Sequence, residues 1–552
     1  MDRPQDAPGA RRSQDAPDAR RPEGASVTRN RWAQRCALLL PAVVAAALYL
    51  PSLPGALVWD DELHIPLARE MTVALAFGNA GGEYRRPMVL LSYMAQWECG
   101  LASNEAFHGV NLVLHATNTL LLALLLLALE LPAAVVGGAA MMFAVHPVQS
   151  GSVAYISGRT DLLAAVFTLM ALLLAAWFPH AASARDVRAR PLPDRLLSAR
   201  SAAGALACAS LVALAALSKE IGLAAGPLVA LVYRYQLRKE PPPSPLLPIA
   251  ALLASASCAL VVLPPAALTG NLSLALRLRA AGTAAATFAQ LLVWPSGLHL
   301  DRLTATAGPH SIAVAIMLAG IACAAWVRFL RTPTLPGLAL VSATLLYLPG
   351  SGFVPVSPAI AERLIFTPEQ FLYLPLAPLS ALLAAALHRY VGCRATVAGA
   401  CLLAVLWAPS VLARQREFTT AEQVYRTTLA HSPSPRACFN LGRLQLEHRR
   451  YEEAASTYER CVDWSPHDAG ARGQLATALQ KLGRSAEARA NYQRATELDE
   501  RSALLWSNFA TLDANEGRYD EARAKWERAL SIDPSFAPAQ DALSKLRKIS
   551  PR

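Results

Sequence analysis

Long apolar runs between residues 36 and 416 constrain the fold of this chain more than any other feature. Several of them approach the roughly 20 residues that an α-helix needs to cross the hydrocarbon core of a bilayer. A soluble domain carries about 25% charged residues, whereas only 16% of this chain is Asp, Glu, Lys or Arg. The runs therefore predict an all-α, multi-pass membrane protein and exclude an ordinary soluble enzyme or a disordered protein.

We predict about eleven spans. The first, Cys36–Leu50, is expected to be a retained anchor rather than a signal peptide. The others cover residues 107–129, 132–148, 162–178, 201–217, 220–236, 245–265, 311–330, 334–350, 370–387 and 395–412. The stretch 271–300 fits either an interfacial helix with a re-entrant segment or a further span. If it does not cross and the N-terminus is cytoplasmic, the Arg-rich loops obey the positive-inside rule and the C-terminal region lies outside the cytoplasm.

Composition divides the chain into three regions. Residues 1–32 lack periodicity and predict a disordered cytoplasmic tail; residues 33–415 form the membrane domain, and residues 417–552 are dense in charge. The net charge of +11 comes largely from Arg beside apolar runs. No basic stripe is interleaved with aromatics, so nucleic acid is not an expected partner. The nine Cys include no CxxC pair, which predicts neither a disulfide framework nor a zinc site.

A gapless repeat of 34 residues occupies the C-terminal region. In each block the eighth and twentieth positions are small and the twenty-fourth is aromatic, which allows two antiparallel helices to approach with a ring between them. The repeats cover residues 435–468, 469–502 and 503–536. This tetratricopeptide pattern predicts an α-solenoid, preceded by a half repeat at Thr420–Ala430 and followed by a capping helix at Ala537–Lys548. Such solenoids bind peptides or proteins in a concave groove.

Polar residues interrupt the apolar runs in five clusters, all on the outside face in the eleven-span topology. Ionisable groups at membrane depth are costly, so they are functional candidates by default. The clusters contain Asp60–Asp61–Glu62; Arg86 with the stripe His108, Asn111, His115 and Asn118; His146 to Asp161; Lys219–Glu220; and Glu362–Arg363. Each charge pair alone fits a local ion pair. Isolated ion pairs do not explain why all five clusters lie on the same side of the membrane, whereas a shared functional site does.

The acidic triplet Asp60, Asp61 and Glu62 directly follows a predicted membrane exit. One Asp would suffice as a helix N-cap. Three acids favour a carboxylate that takes a proton from an acceptor hydroxyl, or one that helps to hold a divalent cation. No metal-ligand set can be assembled from the sequence.

The stripe of two His and two Asn has spacings of three, four and three, which place all four side chains on one helical face. This favours a cavity or a shared hydrogen-bond network over a single buried core histidine. No carboxylate completes a metal site with the two histidines. Arg159 in the third cluster fits two interpretations, binding of a lipid phosphate or neutralisation of Asp161.

These motifs, taken in order, resemble the transmembrane and tetratricopeptide-repeat O-mannosyltransferase family of the GT-C superfamily, from about residue 33 to the C-terminus. The motifs are Trp59-Asp60-Asp61, Arg86-Pro87, His108-x-x-Asn111-x-x-x-His115, His146-Pro147-Val148, Gly158-Arg159-x-Asp161-Leu162-Leu163, Ser218-Lys219-Glu220 and Glu362-Arg363. The chain departs from the family at two places. Members of the family usually carry an acidic residue shortly after His-Pro-Val, whereas this chain has Gln149-Ser150-Gly151, and the residue before Arg86 is also an arginine, Arg85.

The resemblance implies a GT-C fold that transfers a sugar, mannose by family expectation, from a polyprenyl-phosphate carrier to an acceptor hydroxyl with inversion. It implies Asp60 or Asp61 as general base, and it places Arg159, Lys219 and Arg363 at the donor phosphate, whose negative charge grows as it leaves. The residues implied to line or support the site are Glu62, Arg86, His108, Asn111, His115, His146, Asp161, Glu220 and Glu362. A divalent cation stays open, and no other cofactor is implied.

We therefore expect a glycosyltransferase whose repeats recruit a protein acceptor. The high Ala, Arg and Pro content favours a bacterial source, hence the inner membrane, with the N-terminus cytoplasmic and the repeats periplasmic. Two alternatives remain: sugar transfer to a lipid or polysaccharide, and a non-catalytic membrane-anchored scaffold.

Overall fold

The computed structural model describes residues 23–78, 86–177, 199–238, 245–263, 273–305, 308, 310–351 and 364–549. Glu362, Arg363 and most of the Arg-rich loop 180–200 lie outside the described residues. Helix α1 begins at Glu23, so residues 23–32, predicted as part of the tail, continue the first membrane helix. The chain between Pro22 and Pro41 contains no proline that would interrupt it.

The membrane part consists of helices joined by short turns. They are α1 (Glu23–Tyr49), α2 (Asp60–Glu70), α3 (Val73–Phe77), α4 (Pro87–Glu98), α5 (Asn104–Ala128), α6 (Ala133–Val145), α7 (Ser150–Val153), α8 (Arg159–Trp177), α9 (Ala199–Ser218), α10 (Ala225–Gln236), α11 (Leu246–Val262), α12 (Leu274–Val293), α13 (His310–Arg331), α14 (Leu335–Tyr347), α15 (Leu376–Tyr390) and α16 (Cys393–Glu417). Single 3₁₀ turns cover Leu50–Ser52, Pro147–Gln149, Ile156–Gly158, Glu220–Ala224, Leu348–Gly350 and Glu369–Leu372. Strand β1 (Leu303–Ala305) pairs antiparallel with β2 (Leu364–Phe366), with Leu303 opposite Phe366.

Six helices of the described chain have the length and apolar composition that a membrane crossing requires. These segments are Trp32–Ser52, Asn104–Ala128, Ile156–Trp177, Ala199–Ser218, His310–Arg331 and Cys393–Glu417. Helix α6 and its continuation Pro147–Val153 make a seventh if their bend of 52° lies within one span. The bend falls at Pro147, which has no N–H to donate and disfavours a helical residue before it. The all-α, multi-pass architecture is confirmed, and the number of eleven spans stays a prediction.

Helix α6 forms the centre of the membrane bundle, and its residues from Ala134 to Val145 are buried apart from Gly137. Helices α1, α5, α15 and α16 pack around it. A Cβ on Gly137 would lie 3.3 Å from the Cα of Ala37, and one on Gly138 would lie 3.2 Å from Thr396. Small residues therefore allow the close helix approach that holds apolar helices together in a bilayer.

The C-terminal helices coincide with the predicted repeats. They are α17 (Ala421–His431), α18 (Pro435–Glu447), α19 (Tyr451–Trp464), α20 (Ala469–Lys481), α21 (Ser485–Leu498), α22 (Ala503–Asn515), α23 (Tyr519–Ile532) and α24 (Ala537–Ile549). The first helix of every repeat begins at the first residue of its block. A Cβ on Gly442 would lie 2.6 Å from the ring of Tyr458, which shows why the eighth position is small.

A disulfide joins Cys438 of α18 to Cys461 of α19, with their Cα atoms 5.7 Å apart. The expectation that the cysteines form no disulfide is therefore wrong for this pair. The two residues are separated by 23 positions and meet only because the two helices of one repeat face each other. Disulfides persist in oxidising compartments, which agrees with a repeat region outside the cytoplasm.

Replacing both Cys438 and Cys461 by Ser is expected to lower the free energy of unfolding of the repeat region by about 3 kcal/mol, because the unfolded chain gains the entropy of an open loop. The measurement is the rate of limited proteolysis within the repeats of the full chain, with Cys393→Ser as the matched control. Alkylation of Cys438 without prior reduction would contradict the disulfide.

Candidate active site

Predicted polar clusters meet at one end of the bundle, where the repeat region also attaches. The main-chain N–H of Ser157 donates to Asp61 over 2.7 Å, which joins the acidic loop to the turn before α8. The ammonium of Lys219 lies 2.8 Å from both carboxylate oxygens of Asp161. Arg86 donates to Glu220 over 3.0 Å. Four of the five clusters thus converge, and the fifth lies outside the described residues.

The three consecutive acids point in different directions. Asp60 is half exposed, and its Oδ1 lies 3.8 Å from Nη2 of Arg436. Asp61 is fully buried, and Glu62 forms an ion pair with Arg443. Within the described residues no group of three or more His, Cys, Asp or Glu is arranged to hold a metal ion. The three carboxylates of the triplet therefore have different surroundings: one half exposed, one buried and one paired with an arginine.

The backbone immediately before the acids is strained. Trp59 has a φ of 49°, in the left-handed region that a bulky residue rarely adopts. Its N–H donates to the hydroxyl of Tyr425 over 3.2 Å, and its ring contacts those of Tyr155 and Tyr425. Such strain persists only where surrounding contacts enforce it, and it clusters at functional sites.

Asp61 is a positioning carboxylate rather than an accessible one. It accepts from the N–H and Oγ of Ser157, over 2.7 and 2.5 Å, and from the N–H of Val58 over 3.2 Å. Burial raises the pKa of Asp61 to about 7, and these hydrogen bonds only partly oppose the rise. The two aspartates that the resemblance offers as general base therefore differ: Asp60 faces solvent, and Asp61 holds the loop.

The hydrogen-bonded stripe on α5 braces the site from beneath. Asn111 donates to the carbonyls of Tyr155 and Ile156, over 2.9 and 3.1 Å, and so holds the chain that leads into α8. A Cβ on Gly55 would lie 2.5 Å from Nε2 of His108, so this buried ring packs directly on the loop that precedes the acids.

Deeper in the bundle, His115 and Asn118 share one partner. Nδ1 of His115 lies 2.9 Å from the hydroxyl of Tyr373, and the amide of Asn118 donates to the same hydroxyl over 3.1 Å. Asn118 also donates to the carbonyl of Leu162 over 3.0 Å. His115 and Asn118 thus form a shared hydrogen-bond network, one of the two forms that the spacing of the stripe favoured, and Tyr373 is the member that the sequence did not reveal.

Arg159 is fully buried and its guanidinium nitrogens all donate to protein oxygens. Nε donates to Asn111 over 3.0 Å, Nη1 to Gln96 over 2.6 Å, and Nη2 to the carbonyl of Phe107 over 2.8 Å. Since Asp161 is paired with Lys219, the interpretation that Arg159 neutralises Asp161 is wrong. A donor phosphate would reach Arg159 only by displacing these contacts.

Two ion pairs form a compact group of four charges. Glu220 and Lys219 are buried, and each is paired with a group of opposite charge. Lys219 also lies 5.2 Å from the ring centre of Phe371. The side chain of Arg86 is one-third exposed, so the group reaches the surface at Arg86.

The departure at Gln149-Ser150-Gly151 coincides with a buried acid from another part of the chain. A Cβ on Gly151 would lie 2.6 Å from Oε1 of Glu369, which pairs with Arg414 over 3.0 Å. Glu369 therefore places a carboxylate beside the segment where the resemblance expects one. Its separation in sequence gave no signal for this contact.

His146 supports the bend after α6. Its Nδ1 accepts from the N–H of Val148 over 3.3 Å, its Nε2 lies 3.1 Å from the carbonyl of Leu292, and its ring lies 4.4 Å from that of Trp407. These contacts hold the end of the helix and leave the ring buried.

Asp161→Asn is expected to destabilise the protein by about 3–5 kcal/mol, because it leaves the buried Lys219 ammonium without its carboxylate. Adding Lys219→Met should recover much of this loss. The measurement is the thermal unfolding midpoint of the detergent-solubilised full chain. Equal midpoints for the single and the double variant would contradict the pairing.

A second prediction concerns pH. Folding raises the pKa of Asp61 from about 4 in the unfolded chain to about 7. Between these two pH values Asp61 is protonated in the folded protein and ionised in the unfolded chain. Asp61 therefore makes the protein less stable as pH rises from about 4 to 7, by up to about 4 kcal/mol. In Asp61→Asn the unfolding midpoint should change less with pH over this range than in Asp60→Asn. The same pH dependence in both variants would argue against the raised pKa of Asp61.

The fold and this site define a multi-pass helical membrane protein that carries a tetratricopeptide-repeat solenoid against a polar centre. Two family models described as "Tetratricopeptide repeat" match residues 410–469 and 445–507.

Two curated animal proteins are similar to this chain. "Protein O-mannosyl-transferase Tmtc1" of Drosophila melanogaster is 30% identical over 147 residues, which are 24% of this chain and 17% of that protein. "Protein O-mannosyl-transferase F38B6.6" of Caenorhabditis elegans is 29% identical over 155 residues, 25% of this chain and 22% of that protein. The chain thus matches less than a quarter of either relative. The predicted resemblance to the transmembrane and tetratricopeptide-repeat O-mannosyltransferases is confirmed.

Solved structures also match part of the chain. The crystal structure of MamA is 21% identical and covers 23% of this chain and 75% of its own, with a TM-score of 0.22. The tetratricopeptide-repeat protein YrrB is 20% identical and covers 30% of this chain and 89% of its own, with a TM-score of 0.22.

Proposed function

We propose that this protein is a membrane glycosyltransferase that moves a sugar, mannose by analogy with its named relatives, from a polyprenyl-phosphate-linked donor to a hydroxyl of an extracytoplasmic protein. The observation that carries the proposal is the juxtaposition of an exposed carboxylate, Asp60, with the cationic side chains Arg86 and Lys219 at one end of the bundle. The acidic loop and this cationic group are connected through Asp61, the neighbour of Asp60, which accepts from Ser157, because Asp161, four residues after Ser157, is paired with Lys219.

The chemical roles follow from exposure. Asp60, with 48% of its side chain exposed, can receive the proton of an acceptor hydroxyl as general base. The acceptor oxygen then forms a bond to the anomeric carbon as the bond from that carbon to the phosphate oxygen breaks. The leaving polyprenyl phosphate carries away the electron pair of the broken bond. Arg86, whose side chain is one-third exposed, is placed to stabilise the growing negative charge, whereas Lys219 is buried and paired with Asp161.

An apolar cavity supports a donor with a hydrocarbon chain. It lies between α5, α8, α10, α14 and α15, and its lining is almost wholly apolar. Leu374 lines this cavity, and Phe371, three residues earlier, contacts the ammonium of Lys219.

Three observations favour a protein acceptor outside the cytoplasm. Tetratricopeptide solenoids bind peptides and proteins, and both curated relatives are named as protein O-mannosyl-transferases. The disulfide Cys438–Cys461 favours an oxidising compartment for the repeats. We infer a bacterial inner membrane with periplasmic repeats from the composition of the chain.

Asp60→Asn is expected to slow sugar transfer by about 10²–10⁴-fold, because the substitution removes the proton acceptor. The unfolding midpoint should stay unchanged, because the side chain at this position is exposed. The measurement is the intact mass of extracytoplasmic proteins in cells with and without the substitution, scored for a hexose-sized increment. Asp520→Asn, an exposed acid on the third repeat, is the matched control.

The same comparison separates the alternatives. Unchanged protein masses together with sugar loss from a lipid or polysaccharide would assign transfer to those acceptors. No change in any sugar pool would favour a non-catalytic scaffold.

A further inference from the structure

The first repeat contacts the acidic loop, defined here as residues 56–62, through two arginines on one face of α18. Arg436 lies 3.8 Å from Asp60, and Arg443 forms an ion pair with Glu62. The two arginines are seven positions apart, about two helical turns, so they project from the same side of the helix.

These arginines are specific to the first repeat. The position of Arg436 is occupied by Gly470 in the second repeat and by Leu504 in the third. The position of Arg443 is occupied by Thr477 and Thr511. The repeat pattern itself therefore does not call for a cation at either position. The charges occur in the repeat that lies against the membrane domain.

Uncharged contacts make the same connection. The carbonyl of Phe418 accepts from the N–H of Ala56 over 2.9 Å, and the hydroxyl of Tyr425 accepts from the N–H of Trp59. Val58 and Trp59 are buried in the same apolar cluster as Tyr425, Cys438 and Tyr458. The acidic loop is thus part of the core of the first repeat, which a flexibly tethered recruitment domain would not require.

A second attachment fixes the position of α18. The hydroxyl of Ser434, at its N-cap, donates to Asp301, and the hydroxyl of Ser432 accepts from the N–H of Leu303 over 3.0 Å. The start of the helix is therefore held by the segment that follows α12. Rigid placement of this kind is what allows one side chain to set the geometry of another.

We propose that the first tetratricopeptide repeat is a structural part of the catalytic centre, in which Arg443 clamps the acidic loop and Arg436 is a positioning residue for Asp60. This inference rests on the proposed function. The strained backbone at Trp59 relaxes without these contacts, and Asp60 then leaves its position. Transfer to any acceptor, protein or lipid, depends on the first repeat, so deletion of residues 435–552 does not distinguish acceptor classes.

The test combines a structural and a functional measurement on the full chain. Hydrogen–deuterium exchange of residues 56–62 is compared in the wild type, Glu62→Arg, Arg443→Glu and the double charge swap. The single reversals are expected to speed exchange, and the double swap should restore it. Arg460→Gln, an exposed arginine on α19, is the control and should leave exchange unchanged.

The functional measurement is the initial rate at which extracytoplasmic proteins gain the hexose-sized increment. Arg436→Gln should lower this rate by up to about 100-fold through misplacement of Asp60. Arg436→Lys should retain most of the rate, because it keeps a cation beside Asp60. Arg443→Glu should lower the rate, and the charge swap should recover it.

If hydrogen–deuterium exchange of residues 56–62 is unchanged in both single charge reversals, the clamp is overturned. If this exchange becomes faster while the rate of sugar transfer stays the same, the positioning role is overturned. A wild-type strain without any sugar increment would overturn the proposed function and the positioning role together. The exchange data would still decide whether the repeat holds the loop, so the two failures are distinguishable.

Discussion

The hydrogen bonds between Asp61 and Ser157 connect the two segments on which the rest of the site depends. A buried polar group is costly unless it is hydrogen-bonded, and Asp61 accepts hydrogen bonds from both sides of the join. The acidic loop is thereby tied to the start of α8. That helix start also carries Arg159 and Asp161, so one buried side chain sets the relative position of the exposed Asp60 and the Lys219 ion pair.

The composition of the surrounding membrane helices explains why polar groups fix the relative positions of the segments. Helices rich in Ala, Leu and Gly pack closely, but their uniform surfaces specify register weakly. Directional bonds such as those of His115 and Asn118 to Tyr373 select one arrangement. The polar network therefore places the elements, and the exposed charges at its outer end remain available for chemistry. The first repeat completes the arrangement from the other side through Tyr425 and Trp59.

Much of the architecture was predictable because it depends on local periodicity. The 34-residue repeat located the first residue of α18, α20 and α22, since small and aromatic side chains at set positions describe how two neighbouring helices meet. The spacing of the α5 stripe likewise predicted one buried polar face. The division between Asp60 and Asp61 was not predictable, because adjacent residues differ only in what the folded chain brings to each.

The sequence by itself determined an all-α membrane protein with a tetratricopeptide solenoid, and it placed the polar motifs at one end of the bundle. Periodicity and apolar length are properties of neighbouring residues, so they survive without a fold. Only the tertiary structure decided that Cys438 pairs with Cys461, that Glu369 lies beside Gly151, and that Arg159 is occupied by neutral oxygens. These contacts join residues far apart in the chain, and their chemistry depends on burial and distance, which no local pattern encodes.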